Sequence, residues 1–240
     1  MEVTKDFFFR HENSILNEKW KVDLYYENSN AKTKKIELEK NIPIIEVVEN
    51  GNFYSAIKLD VQNINNSIKS CILTGIDGAF VLYPKTKNSN EGQSIIIKND
   101  SLILSLGFTL ISINLKTLKV DWKIRPDSAE ILEFYELEND ILLRGEMGIH
   151  RIDFNGKVKW TFTARDIWIN MNGKNEIKIH EKTIDLIDWD DNEYIIDFNG
   201  NLLEEKQKTI FRNVYLHKEP KLYLSLKFKK IFANLKNNWL

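Results

Sequence analysis

Ile152-Asp153-Phe154-Asn155-Gly156-Lys157-Val158-Lys159-Trp160 decides how the rest of the chain is read. An apolar-Asp-apolar triplet runs into Asn-Gly, a strong signal for a tight hairpin turn, and then into a short strand carrying a tryptophan. The stretch has a precursor, Ile113-Asn114-Leu115-Lys116-Thr117-Leu118-Lys119-Val120-Asp121-Trp122, which is one residue longer. Upstream of each copy an apolar run, Leu102-Ile103-Leu104 or Ile141-Leu142-Leu143, supplies a preceding strand. A third copy, Ile196-Asp197-Phe198-Asn199-Gly200-Asn201-Leu202-Leu203, lacks the tryptophan. A fainter unit runs from Cys71-Ile72-Leu73-Thr74 to Leu82-Tyr83-Pro84-Lys85-Thr86, and Lys19-Trp20-Lys21-Val22 has the look of the tail of an earlier one. Self-similarity at a spacing of several tens of residues is the mark of a repeat architecture, in which one unit cannot cover its own apolar faces.

Outward from these copies the grammar stays the same. Apolar runs such as Ile95-Ile96-Ile97, Ile177-Lys178-Ile179 and Tyr194-Ile195-Ile196-Asp197-Phe198 are short, β-branched or aromatic, and bounded by Asn, Asp or Gly. Helix candidates are few. The segment 130–139 has good helix formers but equally suits a strand, and 227–240 has the spacing of a short amphipathic helix. The expectation is an all-β chain, a single mostly-β domain over 1–240 with repeats at about 70–94, 95–127, 128–168 and 169–205.

Composition agrees and excludes several classes. The 240 residues are 42% hydrophobic and 11% aromatic, enough for a core and too apolar for intrinsic disorder. Thirty-four Lys+Arg against 35 Asp+Glu leave a net charge of -1, so no global field draws nucleic acid or an anionic membrane. A lone cysteine, Cys71, excludes an intramolecular disulfide framework. The N-terminus lacks the charge and apolar length of a signal peptide, and 101–115, the longest uncharged stretch, is too short and polar to span a bilayer. A cytoplasmic location is expected.

The strand, turn, strand and Trp pattern resembles the blade repeat of quinoprotein-like (PQQ-like repeat) β-propellers, over about residues 70–204. The resemblance is fullest in 139–162. In the 102–122 copy Leu118 stands for the turn glycine and Asn114 for the aspartate. The resemblance implies an irregular propeller-like array of antiparallel blades, with a β-sandwich or an open β-meander as the alternative. It also implies that Trp122 and Trp160 pack between successive blades, the alternative role being to stack on a ligand. The family's quinone cofactor does not carry over, because adjacent cysteines and a calcium-binding constellation are missing. No cofactor is expected.

Motifs that carry chemistry are few. Glycine-rich nucleotide loops and a Gly-x-Ser-x-Gly elbow are absent. The four histidines, His11, His150, His180 and His217, have no zincin spacing, and His150 is expected to point outward from a hairpin. The most unusual cluster is Asp185-Leu186-Ile187-Asp188-Trp189-Asp190-Asp191-Asn192-Glu193. It opens like a calcium loop, but Glu193 takes the place of the required glycine and Asn199 that of the closing bidentate glutamate. It reads as a solvated turn between two strands. It is also the composition of a binding hot spot, with Trp189 as anchor and Asp188, Asp190, Asp191 and Glu193 steering a basic partner.

Charge is segregated along the chain. Residues 127–205 hold 19 acids and 8 bases, while 206–240 hold 9 bases and one acid. Either the basic tail neutralises the acidic stretch or the acidic surface serves a basic partner. The functional expectation is a non-enzymatic protein-binding module, of the general type of a bacterial immunity protein that neutralises a cognate toxin. The alternatives are a carbohydrate-active enzyme using acids of the 185–193 segment and a scaffold subunit. No nucleic-acid or membrane partner is expected.

Overall fold

Alternation and turn chemistry place strands wherever the short apolar runs occur. A computed structural model of the chain describes residues 8–10, 14–27, 42–48, 56–63, 68–78, 80, 82–85, 92–170 and 172–208. Residues 1–208 form one compact unit and 209–240 a second. The helix expected over 227–240 and most of the basic tail lie outside the described residues.

The described residues are all-β. Strands β1 (Phe8–Arg10), β2 (Ile15–Leu16), β3 (Trp20–Glu27), β4 (Ile44–Glu46), β5 (Ile57–Asn63) and β6 (Ile68–Thr74) build a six-stranded sheet ordered β1-β3-β5-β6-β4, with β2 also on β3. Its pairs are antiparallel except β4 with β6. Three four-stranded antiparallel meanders follow. They are β7 (Ile95–Lys98), β8 (Ser101–Leu106), β9 (Thr109–Asn114) and β10 (Lys119–Ile124), then β11 (Ile131–Glu136), β12 (Asp140–Gly145), β13 (Ile149–Asp153) and β14 (Val158–Phe162). The last is β15 (Ile177–Ile179), β16 (Thr183–Ile187), β17 (Glu193–Asp197) and β18 (Leu202–Lys206). The ambiguous 130–139 segment is strand β11. The three meanders run from Ile95 to Ile124, from Ile131 to Phe162 and from Ile177 to Lys206. Residues 70–94 hold most of β6 and the connection into β7.

Successive sheets cover one another. Leu102, Leu104, Ile111 and Ile113 join the cluster with Val22, Leu24, Leu59 and Leu73 of the first sheet. Ile103 and Leu110, on the opposite face, pack with Phe134, Ile141, Leu143 and Ile152. Leu142 and Ile149 in turn meet Ile184, Leu186, Tyr194 and Ile196 around Trp168. Four sheets separated by three apolar clusters form a propeller-like array rather than a two-layer sandwich. Burial on both faces explains why Leu102-Ile103-Leu104 and Ile141-Leu142-Leu143 are unbroken apolar runs instead of alternating ones.

The repeat motif accounts for both the turn and the latch between sheets. Asp153 Oδ1 accepts from the amides of Asn155 (2.9 Å) and Lys157 (3.0 Å), and Gly156 takes φ +82°. Asp197 does the same for Asn199 (2.8 Å) and Asn201 (2.9 Å), with Gly200 at φ +80°. These are Asx-type turns that need a residue tolerating the left-handed region. In the second sheet Leu118 occupies that region at φ 54°, with Asn114 Oδ1 accepting from Lys116 N and Thr117 N. Each of the two Asn-Gly turns receives the tryptophan of the preceding sheet. Trp122 Nε1 donates to the Phe154 carbonyl and Trp160 Nε1 to that of Phe198, both at 2.9 Å. A Cβ on Gly156 or Gly200 would lie 2.7 Å from the indole Cδ2 of Trp122 or Trp160. A bulge recurs between the third and fourth strand of all three meanders, at Val120/Trp122, Arg151/Ile152 and Ile195/Ile196. Both tryptophans are half-buried, so they bridge sheets without being sealed in the core. Among the described residues no helix is long and apolar enough to cross a membrane.

Candidate functional site

The acidic segment forms the turn between β16 and β17, and the structure divides its residues into two groups. Asp188 is fully buried. Its Oδ1 accepts from the amides of Asp190 (3.1 Å) and Asn192 (2.9 Å), and its Oδ2 from Asn192 Nδ2 and the Tyr194 hydroxyl, both at 2.9 Å. Asp191 takes φ 63° and is also buried. Its carboxylate accepts from Asn170 Nδ2 (2.8 Å), Asn172 Nδ2 (2.7 Å) and Lys208 Nζ, with Lys174 Nζ at 3.6 Å. Hydrogen bonds from Lys208 and then Asn170 outweigh desolvation and hold its pKa at about 2. Asp188 and Asp191 therefore organise the turn from within. Trp189 and Asp190 are half-buried and Glu193 is exposed, 4.0 Å from Lys174 Nζ, so these three residues are the part of the turn that reaches the surface.

The loop that steadies this turn is itself pinned to the preceding sheet. Arg144 donates from Nε to Glu133 Oε1 (2.9 Å) and from Nη1 to the Trp168 carbonyl (2.6 Å), and lies 3.6 Å from Glu176. Glu176 accepts from the Asn170 amide at 2.8 Å. A half-buried guanidinium between two carboxylates and a carbonyl is a satisfied ion network that fixes where the loop, and hence Trp189, sits.

The turn belongs to a longer rim. In each meander the connection from second to third strand falls at one end: Gly107-Phe108 after β8, 146–148 after β12, and 188–192 after β16. A run of backbone hydrogen bonds stitches these turns to the links between sheets. Phe108 N donates to Asp77 O (3.1 Å), Ile131 N to Gly107 O (2.9 Å) and Glu146 N to Glu130 O (2.9 Å). Trp168 N then donates to Glu146 O and Trp189 N to Ile167 O, both at 2.9 Å. Phe108 is half-buried under the Arg125 guanidinium, 5.0 Å away, and Met147 is 45% exposed.

Beside Met147 lies a histidine whose expected position is corrected. His150 does not point outward; it is buried, with Nδ1 2.9 Å from Thr161 Oγ1 and Nε2 3.3 Å from Asp127 Oδ2. It faces the second sheet's side because it pairs with Leu143, whose side chain fills that cluster. Asp127 also accepts from the amides of Gly148 (2.8 Å), Met147 (3.2 Å) and Ala129 (3.1 Å). Burial pushes this carboxyl up, but the bonds from His150, Ala129 and Gly148 outweigh it and keep it below the usual range. Nearby, Glu146 is pushed up by burial and by the charges of Glu130 and Asp127. Sequence reasoning missed Arg144, His150, Asn170, Phe108 and Met147 as parts of this end of the molecule. No local spacing signals them, since their partners lie far along the chain.

Among the described residues no group of three or more His, Cys, Asp or Glu side chains is placed to hold a metal ion. No protein-family model and no curated protein matches the chain. Among solved structures it is similar to BamB from Moraxella catarrhalis, at 13% identity over 45% of this chain and 34% of that one, with a TM-score of 0.36. It is similar to the Pan2 WD40 domain of Neurospora crassa, at 12% identity over 51% and 40% of the two chains, TM-score 0.37. A third similarity is to the AfRom2 CNH domain, at 11% identity over 84% and 54%, TM-score 0.41. The matches span less than half the length of the first two proteins, and the propeller-like reading rests on the chain's own sheets and latches.

Proposed function

We propose that the chain is a cytoplasmic, non-enzymatic protein-binding module with Trp189 as the anchor of its contact surface, and that its blades are of the quinoprotein-like type. One observation carries the binding reading: the β16–β17 turn is held rigid by the buried carboxylates of Asp188 and Asp191 while Trp189, Asp190 and Glu193 remain at the surface. A rigid aromatic costs little entropy to bury, and flanking carboxylates speed encounter with a basic protein. Such a module suits an immunity protein that blocks a basic toxin. The carbohydrate-active reading gains nothing from the geometry, because Asp188 and Asp191 are committed to protein donors.

The test is a binding comparison with the partner in hand. Trp189→Ala should speed dissociation by tenfold or more, about 1.4 kcal/mol. Asp190→Asn/Glu193→Gln should mainly slow association and flatten its salt dependence. A partner that binds wild type and Trp189→Ala equally well would remove this turn from the interface.

A further inference from the structure

Asn-Gly occurs four times in the chain, at Asn50-Gly51, Asn155-Gly156, Asn172-Gly173 and Asn199-Gly200. The first lies outside the described residues. This dipeptide is the one most open to attack on the asparagine side chain by the next backbone nitrogen, because glycine puts no side chain in the way and turns freely. What holds the glycine decides whether the attack occurs.

Two of the pairs are shut. The Gly156 amide donates to Asp153 O (2.9 Å) and the Gly200 amide to Asp197 O (3.1 Å). Each glycine also lies against an indole, since a Cβ there would come 2.7 Å from Trp122 or Trp160. An amide bonded and covered in this way gives its proton to solvent only when the turn opens. Asn172-Gly173 is built on the same kind of turn without the cover. Asn170 Oδ1 accepts from the amides of Asn172 (2.9 Å) and Lys174 (3.3 Å), as Asp153 Oδ1 does in its own turn. Asn172 and Gly173 are both exposed, and nothing lies within 4 Å of where a Gly173 Cβ would sit. The Asn172 side chain is tethered through Nδ2 to Asp191 Oδ2 at 2.7 Å.

We infer that Asn172 is a site of spontaneous deamidation, with water as the co-reactant, and that the charge it gains loosens the β16–β17 turn. The Gly173 nitrogen loses its proton to solvent base and bonds to Asn172 Cγ. The Cγ–Nδ2 bond breaks, and the nitrogen takes up a proton and leaves as ammonia. Water then opens the cyclic imide at either carbonyl. Opening at Cγ leaves aspartate at 172; opening at the main-chain carbonyl leaves isoaspartate, with the chain routed through the side chain. Nothing is oxidised or reduced. In either product the residue gains a carboxylate and loses the amide that donated to Asp191. Asp191 is buried, holds φ 63° and is fixed by Asn170 Nδ2 (2.8 Å), so it does not swing away from the new charge. A carboxylate set where a donor stood repels it, and the strain falls on the turn that carries Trp189. The inference needs no partner and stands apart from the binding reading.

The test is incubation of the purified full chain at neutral and mildly alkaline pH in water enriched in heavy oxygen, followed by peptide mapping with mass spectrometry. The 166–174 tryptic peptide should show the amide-to-acid change with one heavy oxygen, and faster as pH rises. Its rate should exceed that of the peptides holding Asn155 and Asn199 at least tenfold, and Gly173→Ala should slow it at least tenfold. In urea the three rates should converge; a difference that persists there would overturn the structural account. Amide hydrogen exchange reads the consequence. Asp190 and Asn192, both bonded to Asp188 Oδ1, should exchange at least threefold faster in Asn172→Asp than in wild type. Asn172→Ala, which removes the donor without adding charge, should speed exchange less. Native circular dichroism of each variant keeps global unfolding out of the comparison. Asn155 or Asn199 converting as fast as Asn172 in the folded chain would overturn the site. Equal exchange in Asn172→Asp and wild type, or in Asn172→Asp and Asn172→Ala, would overturn the effect of the new charge.

Discussion

Replacing Gly200 by alanine tests the latch between sheets, and Gly173 supplies an internal control. Both glycines are left-handed, at φ +80° and +73°, so alanine at either carries the same backbone penalty of roughly 1–2 kcal/mol. They differ in what the new methyl meets. At Gly173 nothing lies within 4 Å, whereas at Gly200 the methyl would sit 2.7 Å from Trp160 Cδ2 and 3.0 Å from Cε3 and Cγ. The indole must then lift from the turn, giving up its 2.9 Å bond to the Phe198 carbonyl, about 0.5–1.5 kcal/mol, along with ring contact. Gly200→Ala should therefore cost about 2–4 kcal/mol against 1–2 for Gly173→Ala. Urea unfolding with linear extrapolation reads both, and equal m-values confirm that the same surface unfolds. A Trp160→Phe background should shrink the cost of Gly200→Ala, because the pair then no longer interacts in full. Equal costs at the two glycines, within about 0.5 kcal/mol, would refute the latch.

Two further outcomes are expected. The folded-state pKa of Asp191, about 2, lies below its ordinary value of 3.8, so its contribution is complete above roughly pH 4 and is lost as pH falls toward 2. Thermal melts across that window should fall less steeply for Asp191→Asn than for wild type, while the variant is the less stable of the two at neutral pH; parallel slopes would contradict the assignment. His150→Ala opens a cavity and strips a donor from buried Asp127, at a cost of roughly 2–4 kcal/mol, whereas Thr161→Val removes one bond, about 1 kcal/mol. A His150→Ala variant as stable as wild type in urea would mean that the histidine is not built in.

What could be read in the sequence was what closes locally. The bonds that the Asp153 and Asp197 carboxylates make to their own turns close within four residues, so Ile-Asp-Phe-Asn-Gly announces itself in any context. The strands around it followed, as did the turn at 188–192. Residues 70–94 resisted because Cys71 and its neighbours pair with β5 and, in parallel, with β4, a relation that no short repeat displays. His150 was misplaced for the same reason: Asp127 and Thr161 lie 23 and 11 residues away. At the candidate site the acids looked alike in sequence. Asn170 and Lys208, remote along the chain, turn Asp191 inward, and Tyr194 and Asn192 do so for Asp188, while Glu193 stays exposed. Phe108, Met147 and Trp189 share a place in the fold but no residue type, so the row they form has no sequence signature.

The meanders stack in chain order, the first two each laying a tryptophan on the next sheet's turn. Nuclear Overhauser contacts between indole and glycine protons test it directly in solution. Contacts are expected from the Trp122 ring to the Gly156 α-protons and from the Trp160 ring to those of Gly200, with both glycines shifted upfield by the indole faces. Indole contacts confined to each tryptophan's own sheet, with Gly156 and Gly200 at ordinary shifts, would contradict the stacking order and the array built on it.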